Sequence, residues 1–298
     1  TMSIVRRRAP ALQRLDLSQG KVVLNAGAYV QYRNQFLAID DSGAGVDSAQ
    51  RLGASNDDIR NGYVRRAMHT WTPDIWLQVL YKKFRFELEG VMINGSMENS
   101  LTASGSGSTT DYTNTRDSGK NGWNIRQFGV TTQAELKAVE DRLHLNFGFG
   151  WASGDPDVQG LSAGNNGLQR QLTSDRTYST FRFNQNYRID LIFFRHILNG
   201  VQGSYYFRPS VDYDFSRNPN GQKLGGGAAV IWSRASEFVQ APGHHRDLGV
   251  EIDLSLYFQS KDGSLNDDSN KMGGFFTMLQ YGVFFPTGGL DFMTKEKE

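Results

Sequence analysis

Hydrophobic and polar residues alternate one for one along much of the chain. In "FRFELEG" (84–90), Phe84, Phe86 and Leu88 are interleaved with Arg85, Glu87 and Glu89. Successive side chains of a β-strand point to opposite faces, so one surface of this segment is apolar and the other carries three charges. The same pattern sets Leu24, Ala26, Ala28, Val30 and Tyr32 against Asn25, Gly27, Tyr29, Gln31 and Arg33. It sets Phe128, Val130, Thr132, Ala134 and Leu136 against Gln127, Gly129, Thr131, Gln133, Glu135 and Lys137. Leu143, Leu145, Phe147, Phe149 and Trp151 oppose His144, Asn146, Gly148 and Gly150. Val250, Ile252, Leu254, Leu256 and Phe258 oppose Glu251, Asp253, Ser255 and Tyr257. With "LQVLY", "GSYYFRPSVDYDF", "LGGGAAVIWS" and "GGFFTMLQYGVFF", the pattern predicts about nine strands, each roughly 10–16 residues long. No amphipathic helix of ordinary length is predicted, and a short helical turn falls around 193–199.

The connections are lopsided. Turns at 82–83, 139–142 and 217–222 are short, whereas 39–61, 96–121 and 153–180 are long and rich in Gly, Ser, Asn, Asp and Thr. Their alternation places the long loops at one end of the sheet, with 259–271 as the exception. Loops of this length are uncommon in compact soluble domains. An all-β antiparallel transmembrane β-barrel accounts for the pattern: short periplasmic turns, long extracellular loops, an outward apolar band and a polar lumen. A soluble β-sandwich is the rival fold, since alternation alone fits both. Aromatics near strand ends (Trp71, Trp76, Tyr81, Phe84, Trp123, Trp151 and Trp232) suit the girdles of a membrane barrel.

The expected division is a periplasmic N-terminal segment over 1–20 and the barrel over 21–298. Single-chain bacterial barrels have even strand numbers. An odd count leaves a strand unrecognised within 1–20 or 177–195, or makes this chain part of a longer barrel. The tail "TGGLDFMTKEKE" favours the longer barrel.

Composition narrows the function classes. Hydrophobic residues are 38% and mean hydropathy is −0.50, which looks soluble, yet a barrel strand needs only every second residue apolar. No run of about 18 apolar residues occurs, which removes a transmembrane helix but not a barrel. A net charge of +1 without a dense basic patch argues against a nucleic-acid partner. Cysteine is absent, which removes disulfides, thiolate metal sites and a Cys nucleophile. The start, "TMSIVRRRAP", has no apolar leader core, so any signal peptide is expected to have been removed already.

Several phrases resemble known outer-membrane proteins. "WASGDPD" (151–157), closing an aromatic-rich strand, resembles the strand-end motif of alginate-export-type and related porins. "FRFNQNYRIDLIFFRHILNGVQGSYYFRP" (181–209) is similar to the long extracellular loop and returning strand of a family of myxobacterial-type outer-membrane proteins. "YVRRAM" (63–68) and "LQYGVFFPTGGL" (279–290) resemble the same family. The likeness spans most of 20–290 and implies a porin-like β-barrel in the bacterial outer membrane, with no indication of substrate. The chain departs from the family in lacking a C-terminal strand that ends in an aromatic.

Where the pattern predicts a water-facing wall, Arg33, Arg85, Glu87, Glu89, Glu135, Lys137, Arg208, Asp212, Asp214, Glu251 and Asp253 line it. Mixed charge on a pore wall makes a transverse field that screens solutes by charge and size. The same charges, paired among themselves, equally fit a filled and rigid interior. Asp190, Phe193, Phe194, Arg195 and His196 fall in 181–201, expected to fold inward as a constriction. Asp190 and Arg195 would pin it, with Leu191, Ile192, Phe193 and Phe194 packed into the entrance.

Asp155 and Asp157 are calcium candidates with an incomplete ligand pattern. The alternative there is a turn in which Asp caps its own backbone. Asn266, Asp267 and Asp268 form a sparser cluster, and adjacent His244 and His245 have no evident third metal ligand. An Asp190–His196 pair at the mouth would suit a surface hydrolase, but no G-x-S-x-G, P-loop or dinucleotide fingerprint accompanies it.

The expectation is a non-enzymatic, porin-like channel of the outer membrane that passes a hydrophilic solute passively. The alternative is a non-conducting barrel anchoring a secretion or motility complex, docked through its long polar loops or "VRRRAPALQR". Expected partners are outer-membrane lipid and lipopolysaccharide, the solute, and other envelope proteins. No cofactor is implied.

Overall fold

The computed structural model describes residues 1–39, 63–97, 123–159, 170–171, 177–261 and 274–291. In chain order the strands are β1 (Met2–Arg6), β2 (Val23–Ile39), β3 (Tyr63–Tyr81), β4 (Phe84–Met97), β5 (Trp123–Ala138) and β6 (Leu143–Ala152). Three two-residue strands follow: β7 (Val158–Gln159), β8 (Arg170–Gln171) and β9 (Thr177–Tyr178). The set ends with β10 (Ser204–Arg217), β11 (Lys223–Ala235), β12 (Asp247–Gln259) and β13 (Phe276–Pro286). One sheet runs β1-β2-β3-β4-β5-β6-β10-β11-β12-β13, each strand antiparallel to its neighbours. β9 lies parallel to the start of β5, filling the place beyond the end of β6. The expected all-β antiparallel fold is the observed one. Among the described residues no pairing joins β1 to β13, so the sheet is open between them.

The predicted strands form because their alternation fits the pleat, and the register keeps each kind of residue on its own face. Arg85 lies opposite Glu135, Glu87 opposite Gln133, and Phe86 opposite Ala134. A one-residue slip would send every side chain to the wrong face, so this pattern holds the register firmly. The nine long strands reach 10 to 19 residues, longer at the upper end than expected. The turns at 82–83 and 139–142 are adjacent, and Lys83 Nζ lies 2.8 Å from Asp141 Oδ1. That hydrogen bond and charge hold the Asp141 carboxyl below its ordinary range.

An unrecognised strand within 1–20 was one of the alternatives the odd count left open, and it is present; a helix there was not expected. β1 pairs Met2–Arg6 with Ala26–Val30, so part of the 1–20 segment belongs to the sheet and the path contains ten strands. A nine-residue helix, α1 (Pro10–Ser18), follows; it has Pro at its start and buries none of its residues. The short helical turn expected near 193–199 is a π-helical turn, Phe193–Ile197.

The segment 177–203 packs on one face of the sheet, here the inner face. Phe181, Phe193, Phe194 and Val201 form the core with Ala152, Tyr206, Ile231 and Leu248. Two glycines make room for rings. A Cβ at Gly129 would sit 2.2 Å from Phe181, and one at Gly150 would sit 2.5 Å from Tyr206. On the other face, large apolar side chains stand in the open: Ile75, Phe147, Trp232, Leu254, Leu279 and Phe285 among them.

Three girdle candidates are corrected: Trp71, the ninth of the 19 residues of β3, lies at mid-strand rather than near an end. Trp76 shares the inner face with Gln78 and lies over Gly27, because β3 runs 19 residues and leaves Trp76 well inside it. Trp123 shares its face with buried Ile125 and Gln127 and meets Tyr178 edge-on at 6.5 Å.

Gly129→Val is expected to displace Phe181 and loosen 181–201, costing about 1–3 kcal/mol as overpacking does. Limited proteolysis should then cut that segment while the sheet stays intact. Wild-type resistance in the variant would contradict this packing.

Candidate functional site

Inner-face polar residues form a ladder that steps from strand to strand. The Arg8 backbone N–H donates to Asn25 Oδ1 (2.8 Å), and Asn25 Nδ2 donates to Gln78 Oε1 (2.7 Å). Gln78 donates in turn to Glu87, which also pairs with Arg85 at 2.8 Å. On the next strands Glu135 meets His144 at 3.0 Å, with Lys137 Nζ 3.6 Å away. Asn146 donates to Asp212 (3.1 Å), and the Tyr257 hydroxyl donates to Asp214 (2.6 Å). Arg33 donates to Gln35.

All eleven expected wall residues fall on this face by strand parity, but they are not equivalent. Glu251 and Asp214 are 1% and 2% exposed, so they are covered rather than water-lining. Glu251 is the fastening point of the inward segment. Its Oε1 accepts the N–H groups of Leu191 (2.9 Å) and Ile192 (2.8 Å), and its Oε2 accepts that of Phe193 (2.8 Å). A buried carboxylate is tolerated when its lone pairs are filled this way.

Phe193 stacks on Phe284 of β13, with ring centroids 4.7 Å apart and planes at 10°. The Tyr187 hydroxyl bridges Thr131 Oγ1 (2.8 Å) and the Tyr206 hydroxyl (2.6 Å). Arg208 Nε donates to the Ile189 carbonyl at 2.7 Å. The 181–201 segment is therefore tied to β5, β10, β12 and β13.

The expected Asp190–Arg195 pin is not formed through the Arg195 side chain. Asp190 Oδ2 instead accepts the Phe194 N–H at 2.6 Å, and Arg195 stays exposed. The π-helical turn directs backbone, not guanidinium, toward Asp190. The Asp190–His196 dyad is not formed either, since Asp190 is buried and His196 is exposed. Phe193 and Phe194 are buried at 0% and 2%.

At the end of β6, Asp155 Oδ1 accepts the Asp157 N–H and Oδ2 accepts the Ser179 N–H, each at 3.0 Å. This is the self-capped turn, in place of the calcium reading of Asp155 and Asp157. Burial lifts the Asp155 carboxyl above its ordinary range, against the pull of those two N–H groups. Among the described residues no three His, Cys, Asp or Glu side chains converge as a metal site. Asn266, Asp267 and Asp268 lie outside the described residues.

Sequence reasoning missed Glu251 as a fastener. Its alternation with Ile252 and Leu254 shows the face it occupies but not the backbone 58–60 residues away that it holds. No family model matches the chain, and no curated protein matches it.

Glu251→Ala strands three N–H groups, and a buried unsatisfied donor costs about 1–3 kcal/mol. Hydrogen exchange at Leu191, Ile192 and Phe193 should accelerate sharply, while exchange in β3 and β4 stays unchanged. Equal protection in the variant would show that the aromatic contacts alone hold the segment.

Proposed function

We propose that this chain forms the wall of a porin-like β-barrel in the bacterial outer membrane and lets a hydrophilic solute pass through its polar side. One observation carries the reading: the open face of the sheet exposes large apolar side chains, while the charged and amide side chains of the strands lie on the opposite face, beside the apolar core that 181–201 covers there. Leu279 is 71% exposed and Ile75 58%, while Glu251 and Asn25 on the other face are 1% and 0% exposed. Water disfavours that arrangement, whereas hydrocarbon outside and water inside favour it. Strands of 10 to 19 residues suffice, since about 9–11 tilted residues cross a bilayer. In lipid, free edges of β1 and β13 need strand partners, so closure of the sheet is part of the proposal.

Detergent-extracted, folded protein inserted in a planar bilayer should give stepwise currents. In Glu87→Gln/Glu89→Gln, which removes two carboxylates from the inner face, ion selectivity should move toward anions. Silence from protein shown to be inserted would sink the channel and leave the anchoring barrel in its place. Solubility of the folded protein without detergent would instead favour a soluble sandwich.

A further inference from the structure

The inward segment brings basic side chains to the wall. Two cavities of about 270 Å³ each flank Arg188 and Ile189, and both are lined by Asn146, Arg188 and Arg208. The first also touches Arg85, Gln133 and Glu135. The second touches Arg195, Asp190, Asp212 and Asp253.

The acids and bases here differ in what already occupies them. Glu135 is engaged by His144 and Lys137, and Asp212 by Asn146. Arg208 uses Nε on a carbonyl and Nη1 on Ser210 Oγ at 3.4 Å; among the described residues it forms no direct ion pair, and Asp212 and Asp253 act on it only at longer range. The Arg188 side chain makes no hydrogen bond or ion pair among the described residues. The second cavity is different, because Asp190 Oδ1 and Asp253 Oδ1 lack hydrogen-bond partners among the described residues and oppose an anion there. In the first, three guanidinium groups face one carboxylate that is already engaged.

We propose that the first cavity is an anion subsite, resting on the channel reading, for a small solute bearing a phosphate, sulfate or carboxylate group. Arg188 and Arg208 would grip the oxyanion, since guanidinium presents paired donors that match its geometry. The Gln133 and Asn146 side chains would take the neutral remainder. Arg85, although paired with Glu87, adds to the field. Passage requires binding that is weak enough to release, which suits a site open on one side.

Two measurements on the full, folded chain in detergent test this. In calorimetry, glucose 6-phosphate should bind saturably and glucose should not, a pair that differs only in the phosphate. Arg188→Gln should weaken that binding by about tenfold. Arg182→Gln should not, because Arg182 donates to the Asn199 carbonyl outside both cavities. Inorganic phosphate should compete, showing that the anion rather than the sugar is read. No saturation by glucose 6-phosphate, equal binding of glucose, or an unchanged Arg188→Gln variant would each overturn the subsite. Reversal potentials in bilayers separate the two readings. Currents without anion binding would remove the subsite and keep the channel; anion binding without currents would keep the subsite and remove the channel.

Discussion

The structure turns on one carboxylate. Glu251 projects from β12 and receives three consecutive backbone N–H groups from Leu191, Ile192 and Phe193. Each side of the contact needs the other. The donors start a π-helical turn and have no partner within it, and the carboxylate is buried where water does not reach it. Around this contact Phe193 lies flat on Phe284, Phe194 meets Tyr206 edge-on, and Asp190 closes the turn through Phe194. The hydrophobic core thus forms between the sheet and a single crossing segment, not between two sheets.

That placement divides the inner face. From β2 to β4 it is an amide and charge ladder, with Asn25, Gln78 and Glu87 in succession. From β5 to β13 it is mostly covered, and glycines at 129 and 150 lower the wall so that Phe181 and Tyr206 lie close against it. The cavities beside Arg188 fall where the covering segment meets the polar wall. A face that was apolar throughout would have collapsed on the segment and left no such space.

Much of the sheet was legible because the period-two pattern is a direct consequence of strand geometry. Arg85, Glu135, Arg208 and Asp253 lie on the face that their alternation indicated, and the turns at 82–83 and 139–142 fall where they were expected. What failed was information that parity does not carry. Trp76 looked terminal because the length of β3 could not be read from a segment that loses its alternation toward Tyr63. β1 spans five residues, too few to show a period, and α1 has all its residues outside the core, so no apolar stripe marks it. Pro10 at its start and Gly20 just after it, at φ +71°, were the available signals. The Asp190–Arg195 pairing seemed natural from charge and spacing, but a π-helical turn presents the Phe194 N–H first.

The ladder of side-chain bonds also has a mechanical consequence. Asn25 to Gln78, Gln78 to Glu87, Glu135 to His144, Asn146 to Asp212, and Asp214 to Tyr257 all cross strand boundaries on the same side of the sheet. Backbone bonds alone let a sheet flex like a hinged blind, because each strand can roll against the next. Ties on one face oppose flattening, since spreading the strands stretches every tie. Like hoops on the inside of a cask, they set a preferred curvature and resist any load that would widen it.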